Sequence, residues 1–464
     1  MSKRKQKEKS TEMTWVPSVS KKNGPLYKEI CRQLRSDIES GALPPGTKLP
    51  PQRDLAAKLG INISTVSRAF RICEEEGLLT STVGSGTFVA AGAVVTSVTS
   101  AHTGKSGTVE LGVLAPRLID HDALVSILKE TAHDEKAGGL FEYEYDSTDN
   151  RHRAAAVKLI TRAGSSASPE SILFAQGTQN AVAASIFAFM KPGDRLGCDP
   201  LVFPTLKRVC SLAGVRLVPI RWENGEMSEK GLDYAIGKEG LKALFVMPEY
   251  QVPTAHTMSR SCRQLIAEKA KKHSLIVIEA AMSALSEKGA TGSIAKLAPE
   301  NTIFITGLST MIAPGLRCAY MSAPERYHEP LDSALKTIDT SPSPLLLDIA
   351  SRVVLGSGFE GMIETVRQRA RARGKYVKRS LGDIVVGGDD FSPFKWCRIP
   401  GDIDPGLFEK AAHDAGVQIQ GAHRFTVGQA DPPPAFRICH VSPKNERDLA
   451  RGLDIIKETI AKFV

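Results

Sequence analysis

The sequence predicts a multi-domain chain: a small α+β unit at the N-terminus, then a much larger α/β unit ending in an α+β subdomain. Three observations carry that reading. Residues 25–90 hold three helix-length segments and a hairpin pattern, each bounded by Gly or Pro. Residues 91–108 (AGAVVTSVTSAHTGKSGT) are small and almost uncharged, which is linker composition. From Val109 onward, short apolar runs alternate with helix-length segments, the pattern of a mostly parallel sheet. At 464 residues the chain has room for two or three domains.

The first 25 residues carry seven Lys or Arg against Glu8 and Glu12, so they supply +5 of the chain's net +9. With no apolar core, residues 1–24 read as a solvated basic arm rather than a signal peptide. Next to a DNA-binding unit such an arm either adds phosphate contacts or only solubilises. The first helix has Leu26, Ile30, Leu34 and Ile38 at four-residue spacing, one buried stripe, and stops at Gly41 and Pro44-Pro45. A second helix over 52–59 closes at Gly60, and Asn62-Ile63-Ser64 leads into a third over 65–76. At its start, Ser64, Thr65, Ser67 and Arg68 put hydroxyls and a guanidinium where a recognition helix meets base edges and phosphates. Residues 78–89 then alternate toward a hairpin with the small tip Gly84-Ser85-Gly86-Thr87. Helix, turn, helix and wing in this order predict a winged helix-turn-helix over 25–90, with double-stranded operator DNA as partner.

The wording LPPQRDLAAKLGINISTVSRAFRICEEEGLL…GSGTFV resembles the DNA-binding domain of GntR-superfamily bacterial repressors. The resemblance implies that Arg53 holds backbone phosphate, that Ser64, Thr65, Ser67 and Arg68 read the major groove, and that Gly84, Ser85, Gly86 and Thr87 lie near the minor groove. Some relatives have arginine at the positions of Ile63 or Ser67, so base readout here differs.

Eight cysteines (31, 73, 198, 210, 262, 318, 397 and 439) show no Cys-x-x-Cys and no paired spacing with His. They read as core thiols of a reduced cytoplasm, with no metal site. No apolar run approaches the ~18 residues of a membrane span.

In the larger unit the apolar runs 171–175, 195–198, 243–247, 275–278 and 302–305 are the expected strands. Ligands of such sheets sit beyond the strands' carboxyl ends, so the residues just after each run are the candidates. They are Gln176-Gly177-Thr178-Gln179, Asp199-Pro200-Leu201-Val202-Phe203-Pro204, Pro248-Glu249-Tyr250-Gln251-Val252-Pro253-Thr254-Ala255, Ala313-Pro314-Gly315-Leu316-Arg317 and, near the end, Phe436-Arg437-Ile438. The Gly177 turn opens a helix and can offer backbone amides to an anion. In this order the segments resemble fold-type-I pyridoxal-phosphate enzymes of the aminotransferase class, over residues 109–464 with a small subdomain from about 326. Behind a GntR-type winged helix, they make the chain resemble a MocR-type transcriptional regulator.

That resemblance implies a cofactor pocket of Gly177, Thr178, Gln179, Phe203, Tyr250, Ser309, Thr310 and Arg317, with Arg317 toward phosphate and Arg437 toward a ligand carboxylate. The alternative for Arg437 is a structural ion pair. The family's imine-forming lysine falls on Thr310, or on Met311 with a one-residue slip, and neither has a primary amine. Lys288 and Lys296 lie well upstream. The family's pyridinium Asp and ring-hydroxyl Tyr fall on Ala280 and Met282, with Glu279 one position away. The expectation is a cytoplasmic, homodimeric regulator, not an enzyme, sensing a carboxylate or phosphate compound. The alternatives are one that still binds pyridoxal phosphate noncovalently or as an amino-acid adduct, and, remotely, an active aminotransferase.

Overall fold

The computed structural model describes residues 15–19, 25–39, 43, 47–75, 78–82, 86–90, 107–119, 121–142, 150–282, 292–401, 403–428 and 431–463. The chain divides into two compact units, Met1–Thr96 and Ser97–Val464.

In the first unit, α1 (Leu26–Glu39) buries Ile30, Leu34 and Ile38, as the four-residue spacing requires. Pro51 precedes α2 (Gln52–Leu59), and Gly60 stops it in the left-handed region at φ 64°. The third helix, α3 (Ile63–Glu75), starts two residues before the expected position. Asn62 is the cause: its Oδ1 accepts from the Ser64 N–H and the Ser64 hydroxyl, both at 2.9 Å, an N-terminal cap that admits Ile63 and Ser64 to the helix. The wing strands β1 (Leu79–Thr82) and β2 (Gly86–Val89) pair antiparallel from Leu79–Val89 to Thr82–Gly86. One element comes from the stretch read as an arm. Trp15 is 3% exposed within this unit's core, and its Nε1–H donates to Asp37 Oδ2 at 2.6 Å. The folded unit thus reaches upstream of residue 25.

The second unit is built on a seven-stranded sheet. Its strands in chain order are β3 (Ile172–Ala175), β4 (Arg195–Cys198), β5 (Arg216–Pro219), β6 (Ala243–Val246), β7 (Ile276–Ala280), β8 (Thr302–Gly307) and β9 (Ala319–Ser322). Their spatial order is β3-β9-β8-β7-β6-β4-β5, and only β9 runs antiparallel to its neighbours. Burial of β6 to β8 on both faces explains their continuous apolar runs. Helices α4 (Asp122–Ala132), α5 (Asn150–Arg162), α6 (Thr178–Phe189), α7 (Pro204–Leu212) and α8 (Arg260–His273) precede or connect the strands, and α9 (His328–Asp339) and α10 (Pro344–Leu355) follow them. A second sheet, in the order β10 (Val385–Gly387), β11 (Lys395–Arg398), β13 (Ala435–Ile438), β12 (Gln420–Gly421), packs with α11 (Phe359–Leu381), α12 (Pro405–Asp414) and α13 (Glu446–Ala461). The first residues of the unit join this C-terminal subdomain: Val109–Glu110 pairs with Val417–Gln418, and Val109 and Leu111 share its core. All eight cysteines are free and buried. Among the described residues no helix is long and apolar enough to cross a membrane, and no cluster could hold a metal ion.

Candidate nucleic-acid interface and candidate ligand pocket

The start of α3 carries the polar groups expected of a recognition helix, and most of them are oriented by a neighbour. Ser64 is tied to Asn62 as above, Ser67 Oγ–H donates to Gln52 Oε1 at 2.7 Å, and the Arg68 guanidinium stacks 4.0 Å from the Tyr27 ring centroid. Arg53 is exposed on α2, and Thr65 is half-buried. In the wing, Thr87 and Ser81 hydroxyls lie 3.0 Å apart, and Gly86 has φ +114°. A Cβ at Gly86 would sit 3.0 Å from Lys48 Cε. Gly84 and Ser85 lie outside the described residues. Asn62, Gln52, Tyr27 and Lys48 were not singled out from sequence. Asn62 could have been, because an Asx just before a helical run is a capping signal.

In the second unit the carboxyl ends of the strands bring several expected residues together. Beyond β3, Gly177 has φ +89° and opens α6 with no side-chain cap, so the first amides of that helix stay available to an acceptor. Arg317 lies against this turn. Its Nη2–H donates to the Gln176 carbonyl at 3.0 Å, and a Cβ on Gly177 would come within 2.9 Å of the same nitrogen. Arg317 itself is exposed and held at φ +44°, a costly conformation for a non-glycine residue. Thr178 sits beside β8, its Oγ1 3.2 Å from where a Gly307 Cβ would be. Gln179 is exposed on the first turn of α6. Ser309, in the turn after β8, has a buried Oγ with no hydrogen-bond partner among the described residues. Beyond β4, Phe203 is half-buried and meets the Phe245 ring edge-on at 5.5 Å. Beyond β6, Tyr250 is 1% exposed at φ +50°, and its neighbour Gln251 donates to the Leu201 carbonyl at 2.5 Å.

The ends of β7 and β8 are different. Ala280 closes β7, paired with Ile305, and Met282 and Met311 are buried while Thr310 is half-buried. Glu279 serves the fold. Its two carboxylate oxygens accept from the Ile294 and Ala295 N–H groups, at 3.1 and 2.9 Å, at the start of the short helix Ile294–Leu297. Burial pushes its carboxyl up to about 7 despite these bonds. Asp199, just after β4, accepts from Trp222 Nε1–H at 2.9 Å, and burial also pushes it up to about 7.

Arg437 lies on β13, 6% exposed, in the second sheet. Its Nη2 donates to the Gly112 carbonyl and the Gln420 Oε1, at 2.6 and 2.5 Å, and its guanidinium carbon is 5.0 Å from the Phe425 ring and 5.5 Å from Phe394. Its Nε is buried without a hydrogen-bond partner, and the nearby Glu110 carboxylate, which accepts from the Gly112 N–H at 2.7 Å, feels the charge of the guanidinium. Gln420 and the two phenylalanines were not anticipated, since register across the second sheet is not visible in sequence.

Two family models match the chain: bacterial regulatory proteins, gntR family, over residues 26–89, and aminotransferase class I and II over residues 109–456. The chain is 40% identical over 448 residues, 97% of each protein, to the HTH-type transcriptional regulator YdeF of Bacillus subtilis (strain 168). It is 24% identical over 373 residues, 77% of this chain and 79% of the relative, to the HTH-type pyridoxine biosynthesis transcriptional regulator PdxR of Corynebacterium glutamicum. Among solved structures it is similar to an archaeal alanine:glyoxylate aminotransferase, with a TM-score of 0.70, 18% identity, and coverage of 77% of this chain and 91% of that one. A Pyrococcus horikoshii kynurenine aminotransferase gives a TM-score of 0.68 at 20% identity, with coverage of 78% and 92%. At these identities the likeness shows the fold, a fold-type-I aminotransferase-like α/β domain with its C-terminal subdomain. The chain is thus a member of the GntR/MocR-type HTH transcriptional regulators, which join a gntR-family DNA-binding module to an aminotransferase class I and II domain.

Proposed function

We propose that the aminotransferase-like domain of this regulator is a catalytically inactive, effector-sensing and dimerising body, whose effector is a carboxylate or phosphate compound held without a covalent bond. The observation that carries the reading is the contrast among the strand-end positions: Gly177, Ser309 and Arg317 bring backbone amides, a hydroxyl and a guanidinium, whereas Ala280, Met282 and Thr310 bring no carboxylate, phenol or amine. Pyridoxal phosphate needs both sets. A phosphate suits the α6 N-terminus, Arg317 and the unpartnered Ser309 hydroxyl. The positions that the family resemblance assigns to the ring's partners and the imine hold alanine, methionine and threonine. None supplies a carboxylate, a phenol or a primary amine. The residues do not fit an imine-forming cofactor, and no chemical step is assigned to one. A second reading, noncovalent binding of pyridoxal phosphate, is favoured by the anion cradle together with Phe203.

Self-association is supported by the apolar surface of α4 and the turn after it, where Val125, Leu128 and Phe141 are 44%, 46% and 80% exposed. A dimer presents two DNA modules to two half-sites. An effector changes DNA affinity only by binding two arrangements of those modules unequally. The test is a thermal-shift screen of amino acids, phosphates and pyridoxal phosphate on the full chain. A specific ligand at 100 times its Kd stabilises by about 2.7 kcal/mol. The reading expects a shift from at least one anion that Arg317→Ala or Arg437→Ala abolishes. Shifts that survive in both variants contradict it.

A further inference from the structure

We propose that the recognition helix reads thymine, through the C5-methyl group against Ile63 and the O4 acceptor against Asn62. This rests on the reading of α3 as the helix that enters the major groove. Ile63 is the first residue of α3 and is 41% exposed, while the core side of the helix is filled by Val66, Ala69, Phe70 and Cys73. It is an apolar side chain that the fold does not use, set between Asn62 and Ser64.

The neighbouring donor is fixed by geometry. A backbone N–H can only donate, so the Ser64 N–H, 2.9 Å from Asn62, defines which carboxamide atom is the oxygen. With Oδ1 occupied by that N–H and by the Ser64 hydroxyl, Asn62 is left with its –NH2 group as a pure donor. A hydrogen-bond donor beside an apolar contact matches the major-groove edge of thymine, which presents O4 and the C5-methyl side by side. It mismatches cytosine, whose N4–H2 is itself a donor, and adenine and guanine, which carry no methyl. Among the other candidate readers, Ser67 is committed to Gln52 and Arg68 to the face of Tyr27, and Thr65 is half-buried.

The test uses the full-length protein and duplex sites enriched from a random pool. Each thymidine of the enriched half-site is replaced by deoxyuridine, which keeps O4 and the base pair and removes only the methyl. The expected result is one position per half-site where the swap weakens wild-type binding about four-fold, the scale of one lost methyl contact. Ile63→Ala, whose unfolding is unchanged because the side chain is outside the core, should not respond to the swap. A 5-methylcytosine–guanine pair at that position keeps the methyl, sets a donor against Asn62, and should not restore binding. The proposal is overturned by an enriched site with no uracil-sensitive position, or by an Ile63→Ala protein as sensitive as wild type. A pool that yields no enriched sequence would overturn the DNA reading itself, and the proposal with it.

Discussion

Within one sheet, the strand ends at β3 and β9 and the one at β7 are built from opposite materials. Around β3 the backbone is bent to present polar groups: Gly177 at φ +89°, Arg317 at φ +44°, and the Arg317 guanidinium folded onto the Gln176 carbonyl. At β7 the residues are Ala280 and Met282, and the acid of the strand itself, Glu279, caps a neighbouring short helix. Two positive-φ conformations lie where the proposed anion would be held, and buried alanine and methionine stand at the positions that the family resemblance assigns to the ring's partners. The difference separates binding from chemistry: a site can keep its grip on an anion while lacking the groups that make the anion's carrier reactive.

The comparison can be broken most severely at its apolar side. Ala280→Asp puts a carboxylate at a buried position of a central strand, next to Glu279, and should destabilise the unit by about 3–5 kcal/mol. Chemical denaturation that shows the variant as stable as wild type would mean that this strand end tolerates an acid and is not an apolar environment. A second test is the pH dependence at Asp199. Burial raises its folded pKa to about 7 from an ordinary 3.8, so its contribution to stability is complete below pH 4 and is lost as pH rises from about 4 to 7. Melting curves of wild type against Asp199→Asn should therefore diverge over that window by a few kcal/mol, the order set by such a shift, with the variant gaining relative to wild type. A flat difference contradicts the assignment. On the polar side, Gly177→Ala should cost about 1–3 kcal/mol and remove any stabilisation by anions, because it combines a positive φ with a Cβ pressed on Arg317. The smallest effect lies in the DNA module. There Arg53→Ala should weaken binding on every sequence and lower the salt slope by about one. Ser64 and Thr65 variants should instead change sequence preference, as measured by competition between sites.

Much of this architecture was legible because punctuation and pattern agree. Pro51 and Gly60 bound α2 where the sequence placed it, and the apolar runs after Val109 became the buried strands. What escaped has a common physical cause, namely contacts made between residues far apart in the chain. Trp15 lies between the basic run of residues 3–9 and Lys21-Lys22, and only its packing into the helix core and its bond to Asp37 show that it belongs to the fold. The pairing of Val109–Glu110 with Val417–Gln418 spans the whole second unit. The antiparallel strand β9 is as long as β3, β4 and β6, but its place beside β3 rests on pairing between residues 172–175 and 319–322. In the candidate pocket, motif order was enough to bring Gly177 and Arg317 to one place. The bond from Arg317 to the Gln176 carbonyl, the capping role of Glu279 and the aromatic setting of Arg437 needed three dimensions.

The central claim is that the pocket binds without forming an imine. Its most direct measurement is peptide mass spectrometry of the full-length protein after incubation with pyridoxal phosphate and reduction by borohydride. The account predicts no reduced adduct in the segment from Thr302 to Arg317, whether or not anions stabilise the protein. A reduced pyridoxyl group on any residue of that segment would contradict it.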